Sequence, residues 1–384
     1  KNQGCQMSTG SATALPVPGP AAFSEVVNPM LAKQTQGLNQ SCGIVLIDFA
    51  GSADGRTLID NLILSNQPKP VAMPLRFKEG KLKIAQLTDV HWTPGSEKSE
   101  KGNPETILKV LDMEKPDVVI LTGDVVTSKP AKEGWKRIVE MMETAGVPFA
   151  VTMGNHDAEN WSEDSIYNYL SKSRLFIGKK GPEALSGTGN YILPVYASDG
   201  TDKINALLYC MDSNDYTADA EKYGNYAWID WGQIAWYREQ SRQYTTKNNG
   251  NPLPALAFFH IGVPEFKHLQ NRPDMYGHLG EGGGFPKINS GMFQSMIEMG
   301  DVMGVFVGHD HDNDYIAQEY GIALAYGRVS GHDAYGDLER GARIIELYED
   351  GRQFDTWIAT PSGKSLAYYY PSAITSDDEA IVPL

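Results

Sequence analysis

Five apolar segments, each followed by a side chain that can bind a metal ion, constrain the fold of this chain more than any other feature. The segments span residues 83–88, 118–122, 149–153, 255–259 and 301–307. Their length and their content of β-branched residues are typical of buried strands. The side chains that follow them are Asp89 and His91, Asp124, Asn155, His260, and His309 with His311. Ligands of α/β sheets lie beyond the carboxyl ends of the strands, so we expect these side chains to share one site.

Amphipathic segments alternate with the strands and predict helices. They span residues 104–113, 131–145, 162–171, 230–244 and 290–299. Asn103 and Ser162 are suitable N-cap residues, and Gly146 is a suitable residue to end a helix. The remaining strand candidates are residues 190–196 and 204–211, which would form an antiparallel hairpin, and residues 322–326 and 343–348. This alternation indicates an α/β fold in which helices cover both faces of a sheet.

The seven candidate ligands offer nitrogen and oxygen donors. They are too many for one tetrahedral zinc ion, whereas they suffice for two ions that share a bridging carboxylate. The intervals from Asp89 to Asp124 and from Asp124 to Asn155 each fit one strand–helix–strand crossover, which would place these groups on neighbouring strands. Two ions about 3.5–4 Å apart can clamp a phosphoryl group, so the pattern indicates phosphoryl chemistry.

Each candidate ligand also has an ordinary structural explanation. An aspartate after a strand commonly caps a helix or forms a turn, as Asp89 and Asp124 would, and Asn155 after a glycine is typical of a turn. His260, at the end of an apolar segment, would more often be a hydrogen-bonded core histidine. The joint occurrence of all these residues in one order and spacing is what favours a metal site over those explanations.

In chain order the motifs are Asp-x-His, Gly-Asp, Gly-Asn-His-Asp, a single histidine, and Gly-His-x-His. This order resembles the five-block signature of calcineurin-like metallophosphoesterases, over about residues 75–357. The segments 259–266, 289–291, 308–314 and 334–336 resemble the purple-acid-phosphatase-like branch of yeast and plants and its bacterial relatives. The resemblance implies a four-layer α/β/β/α sandwich, in which two mixed sheets face each other and helices cover their outer sides.

The resemblance also implies a role for each motif residue. Seven side chains would hold two ions of iron, manganese or zinc: Asp89, His91 and His311 on one, Asn155, His260 and His309 on the other, and Asp124 between them. His156 would contact the phosphoryl group and protonate the leaving group, while a hydroxide between the ions attacks phosphorus in line. The implied activity is hydrolysis of a small phosphate ester.

Two departures from the family pattern bear on these roles. No tyrosine follows Asp124, although one colours the true purple acid phosphatases, so an oxidised iron centre with phenolate colour is not expected. Thr127 and Ser128 occupy positions where many relatives have Asp-Arg, which leaves the carboxylate partner of His156 unassigned. Asp157 is a candidate for that catalytic partner.

Charge and composition narrow the range of substrates. The formal net charge of −15 repels nucleic acid and anionic membranes, so a long nucleic acid is not expected as a partner. A cyclic-nucleotide phosphodiesterase or another phosphodiesterase or nuclease is the alternative activity. A non-catalytic scaffold on the same fold is the alternative of another class. No apolar segment approaches the length of a membrane span, and the sequence does not indicate an oligomeric state.

The first 70 residues differ in composition from the rest. Residues 1–20 are rich in Ser, Thr, Ala, Gly and Pro and predict a flexible lead, which a small module of unknown role follows up to residue 70. Residues 71–360 would form the metallophosphoesterase domain and residues 361–384 a tail. Such leads often follow a removed signal, so we expect a periplasmic or extracellular protein, with a cytoplasmic location as the alternative. Cys5 and Cys42 would be free to pair in an exported protein.

Three further features are candidates for the pocket. The glycine-rich segment 280–284 predicts a mobile loop at the active site, since it lacks the lysine of a phosphate-binding P-loop. His332 and Tyr335 would either line the pocket or have a structural role. Trp92 flanks the first motif and would more often pack in the core than stack on a substrate.

Overall fold

Residues 72–379 are described by a computed structural model, in which two mixed β-sheets pack together with helices. In chain order the strands are β1 (Lys81–Leu87), β2 (Val118–Thr122), β3 (Phe149–Thr152), β4 (Tyr191–Tyr196), β5 (Ile204–Cys210), β6 (Ala255–Phe258), β7 (Val302–Val307), β8 (Ile316–Glu319), β9 (Ile322–Tyr326), β10 (Ala342–Tyr348), β11 (Phe354–Thr360), β12 (Gly363–Tyr370) and β13 (Ile374–Thr375). The strand order is β13-β12-β11-β10-β1-β2-β3 in the first sheet and β4-β5-β6-β7-β9-β8 in the second.

The helices lie mainly between the strands. They are α1 (Asn103–Glu114), α2 (Ala131–Ala145), α3 (Glu163–Leu170), α4 (Ala220–Tyr223), α5 (Trp231–Lys247), α6 (Phe266–Leu269), α7 (Met292–Met299) and α8 (Ser376–Glu379). A π-helical turn precedes α1, and a 3-10 turn spans Asp157–Glu159. The helices predicted from the sequence are confirmed, with α2 matching at both ends. The predictions for residues 1–70, including the Cys5–Cys42 pair, lie outside the described residues.

Local signals explain where several helices begin. The Ser162 hydroxyl accepts a hydrogen bond from the backbone of Ser165, so the predicted cap of α3 is confirmed. Asp230 and Gln233 form a reciprocal capping box at the start of α5. The prediction for Asn103 is wrong, because Gly102 caps α1. Asn103 is buried, and its side-chain oxygen Oδ1 instead accepts a hydrogen bond of 2.8 Å from the backbone N–H of His332.

Alternate residues of β5 belong to two different hydrophobic clusters. Leu208 and Cys210 lie in the cluster shared with the first sheet, whereas Leu207 and Tyr209 lie in the cluster formed with α5 and α7. Successive side chains of a strand point to opposite faces, so the second sheet packs on the first with one face and on helices with the other. Helices α1 and α2 pack on the first sheet, and the predicted α/β/β/α sandwich is confirmed.

The first sheet continues beyond residue 360, so the predicted start of a tail at residue 361 is wrong. β12 pairs with β11, with Phe354 opposite Tyr370, and β13 pairs with β12. The rings of Phe354 and Tyr370 stack with their centroids 4.9 Å apart. β12 has few buried side chains, which is why its sequence lacks the apolar pattern of the inner strands. The predicted boundary at residue 70 stays a prediction.

The two tryptophans Trp135 and Trp231 provide a matched test of the core. Trp135 is fully buried between α2 and the first sheet, whereas 74% of Trp231 is exposed. Trp135→Ala is expected to lower the free energy of unfolding by about 3–5 kcal/mol, because it leaves a large cavity. Trp231→Ala is expected to change it by about 0.5 kcal/mol or less. Urea denaturation measures both, and equal effects would contradict the described packing.

Candidate metal centre

Strand ends from both sheets meet at one place, and the predicted ligands lie there. β1, β2 and β3 are parallel neighbours in the first sheet, and β6 and β7 are parallel neighbours in the second. Parallel strands end at the same edge of a sheet, which brings together residues far apart in the sequence. The side chains delivered by these strand ends are Asp89, His91, Asp124, Asn155, His260, His309 and His311.

The first group of potential ligands consists of Asp89, His91 and His311. His311 Nε2 lies 3.2 Å from Asp89 Oδ1, and His91 Nε2 lies 3.9 Å from the same oxygen. All three residues are buried or half-buried. Two imidazole nitrogens around one carboxylate oxygen form a donor set that suits iron, zinc or manganese.

The second group consists of Asp124, His260 and His309. His260 Nε2 lies 3.2 Å from Asp124 Oδ2 and 3.3 Å from His309 Nδ1. The same Asp124 oxygen lies 3.7 Å from His91 Nε2 of the first group. Asp124 therefore contacts both groups, as a carboxylate that bridges two ions must.

Asn155 offers its side-chain oxygen as a further candidate donor. Its Nδ2 donates a hydrogen bond of 2.8 Å to the hydroxyl of Tyr216, which leaves Oδ1 free. Asn155 Oδ1, Asp89 Oδ1 and His91 Nε2 are buried and have no hydrogen-bond partner within the described part of the chain. Buried polar atoms are rarely left without a partner, so these converging donors fit a pair of bound cations.

Hydrogen bonds fix one oxygen of each carboxylate and leave the other for a metal ion. Asp89 Oδ2 accepts from the Thr88 hydroxyl at 2.7 Å and from the His309 backbone at 3.0 Å. Asp124 Oδ1 accepts from the His156 backbone at 2.8 Å. Such partners orient metal ligands and strengthen binding.

Four ligands lie in an unusual backbone conformation. The φ angles of Asp89, His91, Asp124 and His309 are 51°, 44°, 48° and 79°, in the left-handed region that few non-glycine residues adopt. Strained residues of this kind persist where the surrounding structure holds them, typically at functional sites. Here they turn the chain sharply just after each strand, which keeps the ligands at the sheet edge.

In the second group, burial and the close contact between charged side chains shift the pKa values of Asp124, His260 and His309. Burial alone would raise the pKa of the Asp124 carboxyl, but the neighbouring His260 holds that pKa well below its usual range. Burial would lower the pKa of His260, yet Asp124 raises it to about 10. Burial and the charge of His260 lower the pKa of His309 to about 3. Metal ions bind neutral imidazole, so metal binding at His260 displaces a proton.

His156 lies beside the two groups without joining either. Its ring centroid is 6.0 Å from that of His91, and its side chain is 37% exposed. Its Nδ1 lies 2.7 Å from Oε1 of Glu159, a residue that the sequence analysis did not single out. The sequence signal for this contact is the spacing of three residues between His156 and Glu159, since residues at that spacing lie on the same face of a helical turn.

The prediction that Asp157 is the carboxylate partner of His156 is wrong. Asp157 is fully buried, and Oδ1 accepts hydrogen bonds from the backbones of Val125 and Val126 at 2.9 and 3.0 Å. Its Oδ2 accepts from the Gly154 backbone at 2.9 Å. Burial and the nearby Asp124 charge raise the pKa of Asp157 to about 7. Asp157 thus ties together the loops that carry Asp124 and Asn155.

A cavity of about 500 Å³ opens onto both ligand groups and His156. Its wall includes the predicted glycine-rich loop through Gly282–Gly284, and also Glu281 and Tyr335. Tyr335 stacks on His311 with ring centroids 3.9 Å apart, and Tyr226, which the sequence analysis missed, contacts His309 edge-on at 4.4 Å. The wall of the cavity is therefore aromatic and acidic.

Two other pocket candidates lie elsewhere. His332 Nε2 shares a hydrogen bond of 2.8 Å with the hydroxyl of Thr106 on α1 and does not line the cavity. Trp92 is 1% exposed and belongs to the hydrophobic core, so its role is packing.

Comparison with known proteins identifies the family. The sequence profile described as calcineurin-like phosphoesterase matches residues 82–313, which contain all seven candidate ligands and His156. The chain belongs to this family. "Probable inactive purple acid phosphatase 29" of Arabidopsis thaliana is 31% identical over 324 residues, which cover 76% of this chain and 83% of that protein. The resemblance to the purple-acid-phosphatase-like branch is confirmed.

Two further matches extend the comparison. "Phosphatase DCR2" of Saccharomyces cerevisiae is 30% identical over 316 residues, which cover 73% of this chain and 54% of the yeast protein. The crystal structure of a dimetal phosphatase from Danio rerio superposes with a TM-score of 0.51 at 13% identity, covering 74% of this chain and 98% of the other. That structure shows the shared fold. Between residues 72 and 379, no helix of the chain has the length and apolar character needed to cross a bilayer.

Metal content tests the two-ion arrangement. Elemental analysis of metal-loaded protein is expected to give about two ions per chain, because the donors form two groups joined by Asp124. Asp124→Asn should weaken both sites, whereas His311→Ala should empty mainly one. His268→Ala is the control, since His268 is 61% exposed and outside the centre, and it should keep both ions. A single tightly bound ion in an active wild-type protein would contradict this arrangement.

Colour tests whether a phenol binds iron. An oxidised, iron-loaded sample is expected to lack strong phenolate absorption, because no tyrosine follows Asp124. The nearby Tyr216 hydroxyl accepts a hydrogen bond from Asn155. Tyr226 and Tyr335 contact His309 and His311 through their rings. The visible spectrum is the measurement, with Tyr216→Phe as the matched variant. An intense band that disappears in this variant would add Tyr216 to the ligands.

Proposed function

We propose that this phosphoesterase hydrolyses small phosphate esters at a centre of two metal ions, with His156 as the general acid. The observation that carries the proposal is the contact of Asp124 with both ligand groups, at 3.2 Å from His260 and 3.7 Å from His91. His156 lies next to this junction and lines the same cavity. Ligands, acid and substrate space thus occupy one place in the structure.

The two bound ions would supply positive charge to the phosphoryl oxygens and lower the pKa of an attacking water. Asp89, His91 and His311 would hold one ion, and Asn155, His260 and His309 the other. The residues of the chain orient the ester between these groups and His156. As the phosphorus–oxygen bond to the alcohol breaks, His156 gives its proton to the leaving oxygen.

The walls of the cavity support a small ester over a nucleic acid. Among the described residues that line it, none is lysine or arginine, and Glu281 and Asp310 add negative charge. A nucleic acid carries many phosphates and binds through basic side chains, which this wall lacks. The net charge of −15 acts in the same direction. A cyclic-nucleotide phosphodiesterase remains the second candidate, because its substrate carries one phosphate.

A non-catalytic scaffold is the rival from another class, and several relatives carry "probable inactive" in their names. Loss of activity in such a fold would follow from loss of a ligand or of the acid. In this chain the seven ligands and His156 are present and lie together, which supports catalysis. Assays of alkyl, nitrophenyl and cyclic esters with manganese, iron or zinc separate the three candidates. No hydrolysis of any ester by fully metal-loaded protein would favour the scaffold.

The role of His156 predicts a dependence on the leaving group. His156→Gln is expected to lower kcat/KM for alkyl phosphates by about 10²–10⁴-fold, the usual range for general acids. Nitrophenyl phosphate should lose less activity, because nitrophenolate is a weak base and leaves without a proton. Both metal ions should remain bound. The measurements are kcat/KM on each ester and elemental analysis.

The control for this variant is His268→Gln, which changes an exposed histidine beside Glu319 and should retain activity on both esters. An equal loss on both esters with metals retained would point to stabilisation of transition-state charge. Loss of a metal ion would show that His156 is a ligand and not the acid.

A further inference from the structure

We propose that Glu159 is the positioning residue of the general acid: it holds the His156 ring so that Nε2 carries a proton toward the cavity. This inference rests on the proposed function, since it assigns a partner to the acid of that reaction. Glu159 Oε1 lies 2.7 Å from His156 Nδ1, the shortest contact that the ring makes among the described residues. With Nδ1 engaged by a carboxylate, Nε2 is the nitrogen left for the substrate.

The backbone around Glu159 brings it to His156. His156 precedes the 3-10 turn formed by Asp157–Glu159, and the Glu159 backbone donates a hydrogen bond to the His156 carbonyl at 3.3 Å. Side chains three residues apart eclipse each other in a 3-10 turn, so both side chains emerge on one side. The buried Asp157 anchors the start of the turn, and Asn160 anchors its end through a 3.1 Å hydrogen bond to the Thr127 carbonyl.

The Tyr216 hydroxyl also lies near the His156 ring, but Glu159 is the main hydrogen-bond partner of that ring. The Tyr216 hydroxyl lies 3.4 Å from the same Nδ1 atom, but it already accepts a hydrogen bond of 2.8 Å from Asn155. A charged carboxylate at 2.7 Å forms a stronger hydrogen bond with the ring N–H than a phenol at 3.4 Å. The tautomer and orientation of His156 are therefore set by Glu159.

The proton balance of the step assigns a passive role to Glu159. Nδ1–H stays bonded to the Glu159 carboxylate throughout, and the proton on Nε2 passes to the leaving oxygen as the phosphorus–oxygen bond breaks. Glu159 neither touches the substrate nor takes up a proton, so its effect depends on His156. Its side chain is 44% exposed, and solvent weakens an exposed ion pair, so the loss should be smaller than that of removing His156.

The activity test compares Glu159→Ala and Glu159→Gln with wild type. Glu159→Ala should lower kcat for alkyl phosphates about 10–100-fold, the range seen when the partner of a functional histidine is removed, with little change in KM. Nitrophenyl phosphate should lose less. Glu159→Gln keeps an acceptor oxygen and should fall between Glu159→Ala and wild type. The matched control is Glu133→Ala, because Glu133 on α2 is 45% exposed and pairs only with Lys136 among the described residues.

A double variant shows whether Glu159 acts through His156. In a His156→Gln background, Glu159→Ala should cause no further loss, because there is no acid to position. An equal loss in both backgrounds would overturn the proposal, as would a Glu159→Ala variant with wild-type activity on alkyl esters. Metal content of each variant is measured alongside, and loss of an ion from Glu159→Ala would assign it to the centre instead.

A spectroscopic measurement separates this inference from the proposed function. NMR of protein labelled with ¹⁵N at histidine reports which ring nitrogen of His156 carries hydrogen, even in a protein without activity. The neutral ring should be protonated at Nδ1 in wild type and shift toward Nε2 protonation in Glu159→Ala. An unchanged tautomer would overturn the positioning role. Absence of activity in wild type, with the tautomer shift observed, would overturn only the proposed function.

Discussion

The placement of one buried carboxylate, Asp124, holds the centre together. It follows the end of β2 and lies between His91 of the first sheet and His260 of the second. A carboxylate with 1% of its surface exposed is costly unless positive charge or hydrogen bonds compensate it. The facing of the two sheets brings the histidines that meet this requirement. The packing of the two sheets and the candidate metal centre are thus linked, because the buried charge of Asp124 must be compensated by groups from both sheets.

The loops after the strands place these carboxylates at the edge of the sheet, but this requires unfavourable backbone conformations. Asp89 and Asp124 adopt left-handed conformations that each cost on the order of 1–3 kcal/mol. Asp157 offsets part of this cost through its three hydrogen bonds to the loop backbones. The rigid sandwich beneath supplies the rest of the support. These hydrogen bonds and the packed sheets hold the candidate ligands in place at the edge of the sheets.

The sequence predicted features whose signals are local. The hairpin of β4 and β5 is one such feature, and helix α2, with its amphipathic pattern and Gly146, is another. Strand β12 was missed because few of its side chains are buried and because its pairing with β11 is long-range information. Asp157 is adjacent to His156 in the sequence, yet adjacent side chains on a turn diverge. Glu159, three residues along, is the side chain that meets the ring.

By itself the sequence determined the order of the main strands and helices, the seven candidate donors and the family to which the chain belongs. These depend on residue type and spacing along the chain, which are visible without coordinates. Only the tertiary structure decided the distances within and between the two groups of donors, and the choice of Glu159 over Asp157. The reason is physical: distances between side chains on different strands depend on how the two sheets pack and how each loop turns after its strand.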